Sequence, residues 1–386
     1  MDLKKESIKL HREAKGKIAV KSKVPLKNMT DMALAYTPGV AAACLAIAEN
    51  PEEAYSLTAK QNTVAVVSDG SAVLGLGNIG PLAAIPVMEG KCAIFKEFAG
   101  VDAIPIVLNA TTVDEIVAAV KMIAPSFGGI NLEDISAPKC FLVEKRLKEL
   151  LDIPVFHDDQ HGTAVVVGAA LINALKIVKK DLAKISVVIN GAGSAGVAIT
   201  KFLLDLGVKD LVVCDKKGIL SYTDDNLNFA KKELIELTNK TKKTGLLVDA
   251  LKDADVFIGV SAGNIVDRTM IKKMNDDAIV FALANPVPEI HPDEAFAGGA
   301  RIVGTGLSNL PNQINNSLAF PGLFKGILEA RAKQFTKPML VAASYALANL
   351  VTAEQLNEQN IIPHIFDEAV SRVVSEAVIK VAREEL

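Results

Sequence analysis

Apolar positions recur along this chain with two different periods, and the switches between them mark its elements. Residues 3–14 carry apolar side chains at helical spacing and lead into a polar, basic stretch to Lys27. The alanine-rich run 41–49, after Pro38-Gly39, reads as a second helix. Short unbroken apolar runs predict strands at 63–67, 103–108, 129–132 and 153–156, with helices over 113–123 and 138–151 between them. From Ile185 the alternation becomes regular: strands at 185–189, 211–214, 256–260, 278–284 and 301–303 alternate with helical or polar stretches. Beyond Asn309 the pattern is helical, over 323–332, 338–350 and 366–384. Repeated strand-then-helix order implies parallel sheets, because a parallel neighbour is reached only by a crossover. The expected fold is α/β with two domains: a smaller α/β N-terminal unit over 1–160, and a doubly wound Rossmann-type dinucleotide-binding domain with C-terminal helices over 161–386. A long helix over 162–179 is expected to connect them.

Composition narrows the function. Half of the 386 residues are apolar and 23% are charged, which suits two α/β units with a sizeable core. Lysine plus arginine (42) and aspartate plus glutamate (45) nearly cancel, which argues against a nucleic-acid binder with a basic face and against a charge-attracted membrane protein. The N-terminus MDLKKESIKLHREAKGK lacks the apolar core of a secretory signal. No apolar run is expected to span a bilayer, since the longest candidate, 32–48, is broken by Thr37-Pro38-Gly39. Cys44, Cys92, Cys140 and Cys214 lie 48, 48 and 74 residues apart, neither a disulfide framework nor a zinc knuckle. The expectation is a soluble cytoplasmic protein with a small-molecule substrate and no nucleic-acid or membrane partner. Because the apolar segment 33–48 has no obvious cover in its own domain, a homodimer is expected.

The pattern G-x-G-x-x-G occurs twice, and context separates the two. Gly191-Ala192-Gly193-Ser194-Ala195-Gly196 directly follows the strand ISVVIN and opens the apolar helix VAITKFLL. There the glycines allow a tight turn, close approach of a pyrophosphate, and close helix–strand packing, with the phosphates at a helix N-terminus. The next strand ends at Asp215, 24 residues beyond Gly191, placed to bind a ribose hydroxyl. NAD is favoured slightly, and Lys216 and Lys217 leave NADP open. The second match, Gly75-Leu-Gly77-Asn-Ile-Gly80, is separated from its strand and followed by Pro81 and Pro86; it reads as a backbone-lined pocket wall or a structural loop.

Glu133-Asp134 and Asp158-Asp159 each follow a short predicted strand. On adjacent parallel strands the four carboxylates would converge, and their repulsion would call for a hard cation such as Mg²⁺ or Mn²⁺. The blander alternative is that both pairs are helix N-terminal acids. His157 and His161, spaced i, i+4, lack the third ligand and the glutamate of a zinc site and read as core or surface histidines.

Seven segments, in order, resemble the malic enzymes, specifically the short prokaryotic type: Tyr36-Thr-Pro-Gly-Val-Ala, Ser68-Asp-Gly-Ser-Ala-Val-Leu-Gly-Leu-Gly-Asn, Met88-Glu-Gly-Lys91, Leu132-Glu-Asp134, Phe156-His-Asp-Asp-Gln-His-Gly-Thr163, Ala284-Asn-Pro286 and Asn315-Asn316-Ser-Leu-Ala-Phe-Pro-Gly322. Larger members of that type carry a phosphotransacetylase-like extension, expected to be absent from a sequence ending at Leu386. The resemblance implies oxidative decarboxylation of malate to pyruvate and CO₂ with reduction of NAD(P). By position, Glu133, Asp134 and Asp159 would ligate the metal and Lys91 would take the C2 hydroxyl proton, held by Asp158. Tyr36 would protonate the enolpyruvate carbon, and Asn285, Asn315 and Asn316 would hold substrate or the nicotinamide ribose. A lysine base is expected to need a lowered pKa, supplied by burial and a nearby cation. One departure stands out: the carboxylate-binding arginine of the large eukaryotic enzymes is replaced by Ala72. The rival readings are a malolactic enzyme or an oxaloacetate decarboxylase using the same residues, and a non-catalytic dinucleotide-binding module.

Overall fold

The computed structural model describes residues 2–73, 75–224 and 227–385. Strands β1 (Thr63–Ser68), β2 (Asp102–Val107), β3 (Gly129–Leu132) and β4 (Val155–His157) form one parallel sheet in the order β2-β1-β3-β4. A second sheet contains β5 (Ser186–Asn190), β6 (Asp210–Asp215), β7 (Gly218–Ile219), β8 (Val256–Gly259), β9 (Ala278–Ala282) and β10 (Ala300–Thr305), ordered β10-β9-β8-β5-β6-β7. Among the described strands, only the short edge strand β7 runs antiparallel. The chain leaves β5 toward β6 on one side and returns to β8 on the other, so the winding reverses at β5. A crevice opens above such a reversal, where ligands bind in doubly wound folds. The inner strands read as continuous apolar runs because both of their faces are covered: Val64 to Val67 and Val187 to Ile189 are fully buried.

The helix Asp158–Val178 ties the two sheets together. Its core-facing residues from Ala164 to Leu175 belong to one apolar cluster that also holds Val64 and Phe95 from the first unit and Val187 and Phe281 from the second. At Gly168 a Cβ would meet Phe202 at 2.5 Å and Ser344 at 2.7 Å, so the absence of a side chain there lets the Ser194–Leu206 and Lys337–Leu350 helices press in. Phe156, at the end of β4, stacks on Phe335 and Phe324 with ring centroids 4.7 and 5.7 Å away. Each such aromatic pair contributes about 0.5–1.5 kcal/mol beyond its buried area.

Three departures from the sequence reading matter for function. The connecting helix begins at Asp158 rather than 162, which puts Asp158 and Asp159 in its first turn. It and the segment Met29–Glu49 are both long and apolar enough by composition to cross a bilayer, contrary to the expectation; 72% of its own window is buried within the protein, so it is a core helix. Third, a 19-residue helix, Pro81–Ala99, occupies a stretch whose two prolines look like helix breakers. Pro81 sits at the first helical position, where its missing N–H is not needed. Pro86 lies one turn further in, where one backbone hydrogen bond is forfeited. The helix ends at Gly100, whose φ of +68° suits a left-handed cap. By contrast, the helices Leu3–Ala14, Met29–Ala35 and Val40–Glu49 bury no residue at all, although the last two are strongly apolar.

Candidate active site

Leu132 of β3 and His157 of β4 are register partners, so the chain leaves both strands on the same edge. Glu133-Asp134 and Asp158-Asp159 are thereby set side by side. Asp158 and Asp159 do occupy a helix N-terminus, where unpaired backbone N–H groups favour negative charge. Glu133 and Asp134 do not, since the next helix starts only at Lys139. Instead Asp134 adopts a left-handed conformation, φ +53°, and its backbone N–H donates to Asp159 Oδ2 at 2.9 Å. Glu133 is oriented by Asn131, whose amide donates to Oε2 at 2.9 Å. One carboxylate oxygen from each of Glu133, Asp134 and Asp159 lies within 4.8 Å of the other two. Three convergent, largely buried oxygens of this hardness suit Mg²⁺ or Mn²⁺, so the residues present fit a divalent cation.

Lys91 projects into this group from the Pro81–Ala99 helix and is buried. Its ammonium donates to Asp158 Oδ2 at 2.6 Å, lies 2.9 Å from Glu133 Oε1, and stands 4.2 Å from the Phe320 ring centroid. Burial pushes the carboxyl pKa values of Glu133 and Asp159 up against the pull of Lys91. Asp158, also opposed by Lys91 but repelled by Glu133, is pushed up to about 8 by its burial. For Lys91 the outcome differs from the sequence expectation. Burial presses its pKa down, but Asp158 and Glu133 together outweigh burial and hold the ammonium above its ordinary range. A divalent cation on the same carboxylates would offset that effect.

Residues 69–72, just ahead of the Gly75–Gly80 segment, are tied to the acidic turn. Asp69, paired with Lys139, accepts from Ser71 Oγ at 2.6 Å, and Ser71 Oγ in turn accepts from the N–H of Ser136 at 2.9 Å. Ala72 N donates to Asp134 O at 3.0 Å. The Ser-Asp-Gly-Ser motif therefore anchors the loop rather than supplying ligands. Gly75 is required for contact with the second unit: a Cβ there would sit 2.3 Å from Asn285 O.

Beneath the loop lies a cleft of about 750 Å³ lined by Lys91, Glu133, Asp134, Asp159, Asn285, Asn315 and Asn316, with Ser194 and Ala195 on its far wall. A groove of about 620 Å³ adjoins it at Val260 and Ser261 and runs along Gly191, Ala192 and Gly193 to Asp215. Gly196 lies beneath the groove, where a Cβ would fall 1.7 Å from Gly191 O, so only glycine lets the helix approach the turn. A Cβ on Gly193 would meet nothing within 4 Å, so the bareness of that position serves whatever lies outside the chain. The first unit's acids and the second unit's glycine turn thus open into one continuous recess, which fits a dinucleotide with its reactive end at the carboxylates.

Not every expected residue is brought in. Tyr36 caps the Met29–Ala35 helix, is 67% exposed and does not line the cleft. Asp158 lies beneath Lys91, fully buried. His161 bonds Glu144 at 2.8 Å on the opposite side of the helix. His157 is wholly enclosed, and burial pushes its pKa down to about 4.

Sequence reasoning missed two other groups. Lys231 pairs with Asp215 in the groove. Glu289, fully buried, accepts from Ser261 N at 2.8 Å through Oε1 and from Ala284 N at 3.0 Å through Oε2. It clamps the segments after β8 and β9 that form the recess wall. The available signal was an acid three residues beyond Pro286 in a strand-end loop.

Residues 15–148 match the family described as the malic enzyme N-terminal domain, and residues 160–383 match the malic enzyme NAD-binding domain. The chain is 52% identical to the bifunctional malic/malolactic enzyme of Bacillus subtilis, across 100% of this chain and 94% of that one. It is 56% identical to the NAD-dependent malic enzyme of Geobacillus stearothermophilus, across 95% and 77%. The crystal structure of the NAD-dependent malic enzyme from Thermotoga maritima superposes with a TM-score of 0.93 at 52% identity, covering 96% and 98%.

Proposed function

We propose, from the premise that this chain belongs to the malic enzyme family, that it oxidises malate and decarboxylates it to pyruvate and CO₂, with a divalent metal held by Glu133, Asp134 and Asp159. The observation that carries the reading is the place of Lys91, bonded to Asp158 and Glu133 in the cleft that the glycine turn also enters. When bound, Mg²⁺ or Mn²⁺ would supply a Lewis acid for the C2 oxygen and NAD(P) the acceptor of the C2 hydrogen.

The chain's own residues do the rest. In its neutral amine form Lys91 would receive the C2 hydroxyl proton, and Asp158, 2.6 Å from its nitrogen, fixes its direction. Asn285, Asn315 and Asn316 present amides to substrate and nicotinamide ribose along the same wall. The dinucleotide lies along Gly191 to Gly196 with its ribose at Asp215. NAD is the expected cofactor, and NADP is admissible because Lys216 and Lys231 bring two ammonium groups beside Asp215.

Tyr36 as proton donor requires a second chain. It sits outside the cleft between two apolar helices with no buried residue, Met29–Ala35 and Val40–Glu49. A homodimer seated on these helices covers them and delivers Tyr36 to a cleft. Leu34→Asp with Leu45→Asp should yield a monomer in sedimentation, with loss of activity. Initial rates with malate, Mn²⁺ and either NAD or NADP test the reaction; reduced cofactor and pyruvate are expected. Lactate without reduced cofactor would instead favour the malolactic reading, which the bifunctional relative also supports.

A further inference from the structure

The cleft is short of positive charge. The carboxyl groups of Glu133, Asp158 and Asp159 already engage Lys91, and a dicarboxylate would bring in two further negative charges. The glycine-rich wall offers no cation, since position 72 is alanine. Among the described residues lining the cleft, one ammonium besides Lys91 is present: Lys17, from the N-terminal arm.

Its position is built rather than incidental. Lys15 and Gly16 take left-handed φ values of 54° and 114°, turning the chain sharply out of the Leu3–Ala14 helix. The turn docks on the Pro81–Ala99 helix, where Lys17 N donates to Glu89 Oε2 at 3.1 Å. Lys17 Nζ donates to Pro86 O at 2.6 Å, and it lies 3.9 Å from where a Cβ on Gly90 would stand. The ammonium is thus held over the bare backbone next to Lys91, with one of its three N–H groups on Pro86 and the others available to a ligand. Its burial is partial, and it shares the cleft with Asn315 and Asn316.

We propose that Lys17 is the specificity residue of this site, binding the carboxylate that malate keeps on becoming pyruvate. The assignment rests on the malic enzyme reading above. The choice between the two carboxylates follows from charge flow. A cation on the departing carboxylate would hold back the electrons that must move into C3, stabilising the ground state over the transition state. A cation on the retained carboxylate carries no such penalty. Lys17 therefore contributes binding that is uniform through the reaction, which appears in KM rather than in kcat.

Steady-state kinetics of the full-length enzyme, with saturating Mn²⁺ and the K17M and K17R variants beside wild type, test this. K17M should raise KM for malate about thirtyfold, with kcat within about threefold and KM for NAD unchanged. Pyruvate inhibition should weaken by the same factor, and K17R should recover most of the loss. An unchanged KM for malate in K17M, or a K17R as impaired as K17M, would overturn the role of Lys17 alone. A wild-type enzyme that consumes no malate would overturn the functional reading and Lys17 with it.

Discussion

Two charge clusters share the first turn of the Asp158–Val178 helix, and they are balanced in opposite senses. On the cleft side Glu133, Asp158 and Asp159 face the ammonium of Lys91. On the other side one carboxylate, Glu144, faces three partners: Oε1 lies 2.8 Å from His161 Nε2 and 2.7 Å from Lys148 Nζ, and Oε2 accepts from Gln160 at 3.2 Å. Burial opposes ionisation at both. It wins at Asp158, whose pKa rises, while at Glu144 His161 and Lys148 outweigh it and hold the carboxyl far below its usual range. Burial alone therefore does not separate a working cluster from a structural one. The separation lies in the balance of charge: on the cleft side several carboxyl groups share one ammonium, while on the other side one carboxylate is held by several partners.

That contrast can be broken from either side. Lys91→Met should have the largest effect, lowering kcat about a thousandfold. It should also destabilise the metal-free fold by about 3 kcal/mol, because it strips the cation from buried carboxylates. Rapid-quench turnover and thermal melts would read both. Asp159→Asn should lower kcat/KM about a hundredfold, yet leave metal-free stability equal or higher, since it relieves repulsion. In wild type, Mn²⁺ at about 100 times its Kd should add about 2.7 kcal/mol of stability, and in Asp159→Asn that gain should vanish in calorimetry.

Glu144→Gln should reverse the pattern, destabilising by about 3 kcal/mol while leaving kcat/KM within about threefold. Because the folded pKa of Glu144 is depressed, its contribution is complete above the ordinary glutamate value of about 4.3 and fades as pH falls toward the folded value. Acid unfolding of Glu144→Gln should accordingly be less steep than that of wild type below about pH 5. The smallest effect is expected from Lys148→Met, about 1 kcal/mol in a denaturant melt, because its ammonium is partly exposed. A Glu144→Gln enzyme that folds normally but does not turn over would end the distinction between the two clusters.

Much of the frame was readable from the chain. The helix Val113–Ile123 and the strand Gly129–Leu132 fall where predicted, the first because Thr112 and Glu115 form a reciprocal cap and the second because its residues are buried on both faces. The convergence of the four acids was legible too, since adjacent parallel strands must release their chains on one edge. The Pro81–Ala99 helix was not legible, because local proline chemistry hides a helix whose stability comes from packing of Met88, Cys92 and Phe95. Nor were Lys17, Lys231 and Glu289 visible as site residues. Each acts through partners 16 to 72 residues away in sequence: Asp215 for Lys231, Ser261 for Glu289, and Pro86 and Glu89 for Lys17. Single polar residues at such separations leave no periodic trace.

The helix Asp158–Val178 has 21 residues, so it is a rod about 30 Å long. Its far half is pinned in the dinucleotide-binding unit, where Asn173 donates to the carbonyls of Ala348 at 2.8 Å and Ile361 at 2.9 Å. A rod held near one end is a lever arm. Pivoting it by ~3° at the pinned end sweeps its first turn through ~1 Å, a displacement that can cost a hundredfold in rate. The position of Asp159 is thus geared to side chains roughly 20 Å away along the rod.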